Sequence, residues 1–191
     1  APAARAQDCP AGGDFGVPIA LANGSNFAPL VAAADGRVHV AYVSGSNVIV
    51  HSSRDAGATF GAPVAVPTLT YFEDLQLHTA GANVYLTWIA APTFADRRVK
   101  VAASRDGGKT FAPPVALGTS SVAMYDAAAR ADELVVAWYQ VAPLERHDLM
   151  FARSVNGGAS FATSVIRNDQ AYTKAALQVV REGTRTYVLD V

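Results

Sequence analysis

One phrase occurs three times in this 191-residue chain and narrows what it can fold into. Ser53 to Phe60 reads Ser-Arg-Asp-Ala-Gly-Ala-Thr-Phe, Ser104 to Phe111 reads Ser-Arg-Asp-Gly-Gly-Lys-Thr-Phe, and Ser154 to Phe161 reads Ser-Val-Asn-Gly-Gly-Ala-Ser-Phe. From Asp55 to Asp106 to Asn156 the spacing is 51 and then 50 residues. Each copy follows a short run with apolar residues and leads into Phe-x-x-Pro/Ser-Val, at Phe60 to Val64, Phe111 to Val115 and Phe161 to Val165. A period this regular specifies a repeat architecture.

The octet reads physically as a tight turn between antiparallel strands. Asp55, Asp106 and Asn156 can accept hydrogen bonds from the N–H groups just ahead of them, and Gly57, Gly108 and Gly158 can take positive φ without a Cβ clash. Thr59, Thr110 and Ser160 add a local side-chain bond, and Phe60, Phe111 and Phe161 pin the turn to the core. Folding alone accounts for each of these residue types.

S-x-D-x-G-x-T-F at this period resembles the Asp-box, or bacterial neuraminidase, repeat of sialidase-like β-propellers, over roughly residues 13 to 191. The resemblance implies an all-β propeller of four-stranded antiparallel blades. In that family the boxes lie on the face opposite the active site, so they speak for the fold and say little about chemistry.

Strand patterns agree with three such blades. The first is expected over 29–34, 37–43, 47–51 and 62–66, the second over 75–79, 83–89, 98–103 and 113–117. The third is expected over 127–131, 133–139, 148–153 and 163–167. Val84-Tyr85-Leu86-Thr87-Trp88 shows the period-two signal of a strand. Tyr42, Trp88 and Trp138 fall at one position of successive second strands and are expected to pack blade against blade. A fourth round starts at 175–180 and 184–191, giving about three and a half blades, and Phe15 to Leu21 reads as the last strand of another blade. This predicts part of a larger six- or seven-bladed propeller, or a small or oligomeric ring completed by a partner chain. Residues 1–13 are expected to be a disordered lead-in and 14–191 the propeller.

Ala4-Arg5-Ala6 resembles the end of a secretory signal, which points to a secreted, periplasmic or cell-surface protein; a merely Ala-rich start is the other reading. Cys9, the single cysteine, has no intrachain partner in the sequence and is either a free thiol or an intermolecular one. With a net charge of −1 and no basic stripe, the composition gives no support for nucleic-acid binding, and no apolar run is long enough for a transmembrane helix.

Connectivity sorts the polar residues. In a four-stranded meander the octets lie on one face, the bottom. The blade-to-blade connections and the turns between second and third strands lie on the other, the top. The top face collects Tyr71, Phe72, Glu73 and Asp74; Phe94, Asp96, Arg97 and Arg98; Tyr125 and Asp126; Glu145, Arg146, His147 and Asp148; and Tyr172 and Lys174. Retaining sialidases, as a family, use a tyrosine nucleophile with a glutamate, an aspartate acid/base, and three arginines for the substrate carboxylate. The resemblance thus implies Tyr125, Asp126, Glu73 and Asp74 as catalytic candidates and Arg97, Arg98 and Arg146 as substrate-binding candidates. The family's Phe/Tyr-Arg-Ile-Pro phrase has no match here.

Other motifs fail. Gly108-Lys109-Thr110 lacks the upstream Gly of a phosphate loop, since Ala103 stands there. His39 and His51 fall in strands, His78 near a strand end and His147 in a loop, with no zinc spacing, and no metal or cofactor is expected. Asn23-Gly24-Ser25 fits a glycosylation triplet, a pattern too short to carry weight. The leading expectation is a noncatalytic binding or interaction module taking a glycan or protein ligand, without membrane insertion. A sialidase-type glycoside hydrolase, or a fragment of one, and a structural subunit docked in a larger assembly are the two alternatives.

Overall fold

The structure is a computed structural model that describes residues 18–22, 28–67, 72–91, 93, 96–119, 121–142, 146–168 and 176–190. The first sheet contains β1 (Leu30–Ala34), β2 (Arg37–Ser44), β3 (Asn47–Ser53) and β4 (Val64–Pro67). The second contains β5 (Phe72–Ala80), β6 (Asn83–Ala90), β7 (Arg98–Ser104) and β8 (Val115–Leu117). The third contains β9 (Val122–Arg130), β10 (Glu133–Ala142), β11 (Arg146–Ser154) and β12 (Ala162–Asn168), and a two-stranded sheet follows with β13 (Leu177–Glu182) and β14 (Arg185–Asp190). Each four-stranded sheet is an antiparallel meander in chain order. The first strands of successive sheets lie side by side, β1 by β5, β5 by β9 and β9 by β13. Sheets that share an inner edge and pack face on face are the blades of a β-propeller.

Packing follows the residue pattern. β6 is buried along nearly its whole length because blades cover both of its faces, which is why it reads as a near-continuous apolar run. Trp88 and Leu86 pack onto Ala41, Val48, Val50 and Val66 of the first blade. Trp138 and Val136 pack onto Ile89, Val99, Val101 and Leu117 of the second. The two tryptophans therefore join blades as expected. Emptying either site would cost about 3–5 kcal/mol. β14 alternates between exposed and half-buried residues, with Tyr187 and Leu189 facing solvent beside Val180 of β13.

The octets form the expected turns. Asp106 Oδ1 accepts the Lys109 and Thr110 N–H groups at 2.9 and 3.0 Å, and Thr110 Oγ1 donates to Oδ2 at 2.6 Å. The opening serine has a role that the sequence pattern left unassigned. Ser104 Oγ donates to Asp106 Oδ1 at 2.7 Å and accepts the Gly108 N–H at 2.9 Å. Asp55 repeats this network with Ser53, Gly57 and Thr59. In the third copy Asn156 Oδ1 accepts the Ser160 N–H at 3.0 Å while its Nδ2 donates to Ser160 Oγ at 2.8 Å. Each octet also bonds to the first hairpin of its own sheet: Ala56 N–H to Gly36 O, Gly107 to Ala82 O, and Gly157 to Asp132 O, all at 2.8 or 2.9 Å. Octets and first hairpins thus share the bottom face.

Glycine in the octet has a second task, because there the next blade docks on the one before. A Cβ on Gly108 would lie 2.1 Å from Ser52 Oγ, and one on Gly158 would lie 2.7 Å from Ala103 Cβ, both on the third strand of the preceding blade. At Gly57 the nearest atom is Val38 Cγ2 of the same blade, at 3.7 Å. Position two of the octet reaches forward across the same joint. Arg54 Nη2 donates to Asp106 O at 2.7 Å, and the Arg105 side chain lies against Gly157.

Three expectations are corrected. Residues 18–22 lie outside any strand, so the described part of the expected Phe15 to Leu21 strand is irregular, and residues 15–17 lie outside the described residues. His147 lies in β11 and not in a loop. Strands β5 and β9 begin at Phe72 and Val122, so the Glu73–Asp74 and Tyr125–Asp126 pairs are strand residues and not loop residues. The lead-in 1–13 and Cys9 also lie outside the described residues.

Two predictions follow from the turns. Hydrogen bonds from the Ser53 and Thr59 side chains hold the Asp55 carboxyl down at about 2, below its ordinary 3.8. Burial pushes Asp106 up, but its bonds from Thr110, Ser104 and the Thr110 and Lys109 N–H groups outweigh that and leave it below 3.8. Carboxyls lowered in the folded state stabilise it above the ordinary value, and that contribution is lost as pH falls through the folded value. Thermal melts of a D55N/D106N double variant, whose turns would copy that of Asn156, should fall less than wild type between pH 3.8 and about 2. Equal slopes would remove the carboxylates from the account. Separately, Gly158→Ala should lose about 2 kcal/mol or more, from left-handed backbone strain and the clash together. Gly45→Ala, with φ of 59° and nothing within 4 Å, should lose only about 1 kcal/mol, and denaturant midpoints compare the two.

Candidate functional site

The top inner rim brings several expected residues together, because β5, β9 and β13 all begin there. Pairing between β5 and β6 shifts between Glu73 and Gln76, and inside this irregularity Asp74 takes φ of 50°. Positive φ is uncommon for a residue with a side chain, least so for Asn and Asp. The Tyr125 hydroxyl, from β9, donates to the Asp74 carbonyl and lies 3.2 Å from Thr87 Oγ1. Tyr125 is only 5% exposed, so it acts as a latch between second and third blades and holds the Asp74 carboxylate out into solvent.

The other groups arrange around this latch. Glu73 pairs with Arg97 at 2.7 Å, the arginine largely buried and the glutamate 40% exposed. Asp126 Oδ2 accepts the Val179 N–H of β13 at 2.6 Å and so ties the third blade to the fourth sheet. Arg98 stands apart and pairs with Asp96 at 2.7 Å near the surface. Arg146 begins β11, and its side chain is outside the described residues, as are Tyr71, Phe94, Glu145, Tyr172 and Lys174. The described residues contain no group of three His, Cys, Asp or Glu that could hold a metal ion, and no helix long and apolar enough to cross a membrane.

The electrostatics bear on what these groups can do. Burial raises the Tyr125 hydroxyl well above its ordinary value, against a weaker lowering by the Thr87 bond, and the negative charges of Asp74 and Asp126 add to the rise. That is the direction opposite to what a phenolic nucleophile needs. Burial lowers His78, which sits 3.2 Å from Gln76 Oε1, and Asp126 partly restores it. Neither Thr87 nor the Val179 N–H was singled out from the sequence. Thr87 had a legible signal, the one aliphatic hydroxyl in the apolar run Val84 to Ile89, whereas a backbone N–H has none.

No protein-family model matches the chain, and no curated protein matches it. Three of the solved structures that match are glycoside hydrolases. The catalytic domain of a GH62 α-L-arabinofuranosidase from Coprinopsis cinerea aligns at 12% identity and a TM-score of 0.46, over 81% of this chain and 60% of that one. A xylan β-1,4-xylosidase from Bacillus halodurans aligns at 12% identity and 0.42, over 85% and 36%. An exo-β-1,3-galactanase from Clostridium thermocellum aligns at 10% and 0.29, over 85% and 53%. The chain thus spans less than two thirds of the length of each.

Proposed function

We propose that this chain belongs to an extracytoplasmic propeller of the Asp-box, sialidase-like kind, and that it binds a glycan noncatalytically at its top inner rim. The octet network supports the Asp-box assignment: it repeats with Asp or Asn in the central place and a Ser-capped glycine N–H each time. The observation that carries the binding reading is Asp74, a solvent-facing carboxylate held at positive φ by a buried tyrosine from the next blade. Backbone strain of this kind is retained where the surroundings impose it, and it gathers at functional sites. A fixed carboxylate accepts hydrogen bonds from neighbouring sugar hydroxyls, and the Glu73–Arg97 pair beside it offers both an acceptor and donors. Catalysis is disfavoured because Tyr125 is committed to a carbonyl and Glu73 to an arginine.

A glycoside hydrolase is the second reading, favoured by one feature: Asp74 and Asp126 lie on neighbouring first strands with Tyr125 between them. Glycosidic cleavage uses two carboxyl groups flanking the scissile bond. The extracytoplasmic location rests on the Ala4-Arg5-Ala6 phrase alone.

The test is a panel of neutral and acidic oligosaccharides titrated calorimetrically into wild type and Asp74→Asn. Asparagine tolerates the same backbone, so the variant should melt as wild type does and bind about tenfold more weakly, the value of one charge-assisted hydrogen bond. Release of chromophore from aryl glycosides by wild type, abolished in Asp74→Asn, would replace the binding reading with the hydrolase. Tyr125→Phe should cost about 1–3 kcal/mol of stability by leaving the Asp74 carbonyl without its donor, and should weaken glycan binding as well. A melt unchanged in that variant would mean that the latch holds nothing.

A further inference from the structure

On the bottom face, remote from the rim described above, the joint between first and second blades gathers three basic side chains. Arg37 opens β2, Arg54 is second in the first octet, and Lys109 lies in the second octet. With Gly107 unsubstituted, Arg37 Nη1 and Arg54 Nη2 approach to within 2.9 and 3.1 Å of where a Cβ would stand. Arg37 Nη1 is buried and has no hydrogen-bond partner among the described residues. Arg54 donates to a neutral acceptor, the Asp106 carbonyl. A groove of about 660 Å³ opens beside them, lined by Ser52, Arg54, Asp55, Thr59, Gly107 and Lys109 among others, with Arg37 adjoining Arg54 and outside that lining. The carboxylate of Asp55 is committed to Ser53 and Thr59, and that of Asp106 to Ser104, Thr110 and the Lys109 N–H.

The next joint shows what the first one lacks. Asn83 opens β6 as Arg37 opens β2, and across the joint its Nδ2 donates to Asp132 Oδ1 at 2.8 Å. Asp132 precedes β10 in the third blade's first hairpin. The matching place in the second blade is Ala82, whose carbonyl accepts the Gly107 N–H just as that of Asp132 accepts the Gly157 N–H. At the first joint that carboxylate is therefore missing, although three cations gather there. The buried His39, which makes a 2.9 Å bond to Ser52 Oγ, reports the same field. Burial first, and then Arg37 and Arg54, lower its pKa to about 4.

The geometry points to an oxyanion-binding site at the edge of this groove, where Arg37 and Arg54 meet over Gly107, in which an external carboxylate, sulfate or phosphate group takes the place that Asp132 fills one blade further on. Bidentate donation by the Arg37 and Arg54 guanidinium groups suits a planar or tetrahedral oxyanion, and Lys109 adds a mobile charge at the rim. Such a group comes either from an acidic sugar or from a free small anion.

Calorimetric titration of the 191-residue chain at low ionic strength, with inorganic phosphate in one arm and a galacturonate oligomer in the other, tests this. Saturable binding is expected, weaker at higher salt. Lys109→Gln and Arg37→Gln should each weaken it about tenfold. Ala82→Asp, which supplies the missing carboxylate internally, should abolish binding and raise the melting midpoint. Binding in the galacturonate arm alone assigns an acidic sugar, and binding of phosphate assigns a free oxyanion. Absence of binding in both arms overturns the site, as does binding that survives Lys109→Gln and Arg37→Gln, which stand as the test even where Ala82→Asp does not fold.

Discussion

The contact between an octet glycine and the third strand of the preceding blade is the constraint on which the rest of the molecule depends. A blade alone is a four-stranded meander with two apolar faces, and a sheet of that size is stable only when those faces are covered. The Trp88 and Trp138 interfaces supply the covering area, but area is not directional. Gly108 against Ser52 and Gly158 against Ala103 set how closely and at what angle the blades approach, because no side chain fits there. The Ser–Asp network then holds each glycine in the conformation that the approach requires. One short phrase thus serves as turn and as hinge plate, which explains why the chain repeats it.

Blade angle in turn fixes the top rim. Tyr125 reaches Asp74, and Asp126 reaches the Val179 N–H, only because neighbouring first strands start close together. The polar residues there are first of all the fastenings of the inner edge, and what remains free for a ligand is the outward part of the set, the Asp74 carboxylate above all. A fastening and a binding group on one backbone segment are compatible, since the fastening removes the conformational freedom that binding would otherwise have to remove.

The fold was legible in the sequence because the octet joins local turn chemistry to a fixed period, and both point to one answer. Strand interiors such as Arg37 to Val43 were legible from alternation, whereas Asn83 to Ile89, expected to alternate, is a near-continuous apolar run buried on both faces. Strand starts were not. Phe72 to Asp74 and Val122 to Asp126 mix charge with apolar residues at an irregular pairing, so period-two reading broke off there. The candidate site was legible as residue types on one face, and the ties between them were not. That Tyr125 would be buried and raised in pKa, or that Asp126 would bond a strand N–H, depends on contacts between blades about 50 residues apart. The serine's capping role was present in the phrase, and the forward reach of Arg54 across a joint was not.

Native-state hydrogen exchange at three equivalent amides tests the central claim most directly. The N–H groups of Gly57, Gly108 and Gly158 all donate to the serine of their own octet at 2.8 or 2.9 Å. Local hydrogen bonding is therefore matched, and among the described residues the three differ in whether a preceding blade closes over the glycine. If the joint is what holds the propeller together, Gly108 and Gly158 exchange only through the largest openings of the molecule, while Gly57 exchanges markedly faster. Equal protection at all three would show that the turn alone sets local stability, and the joint would lose its place at the centre of this account.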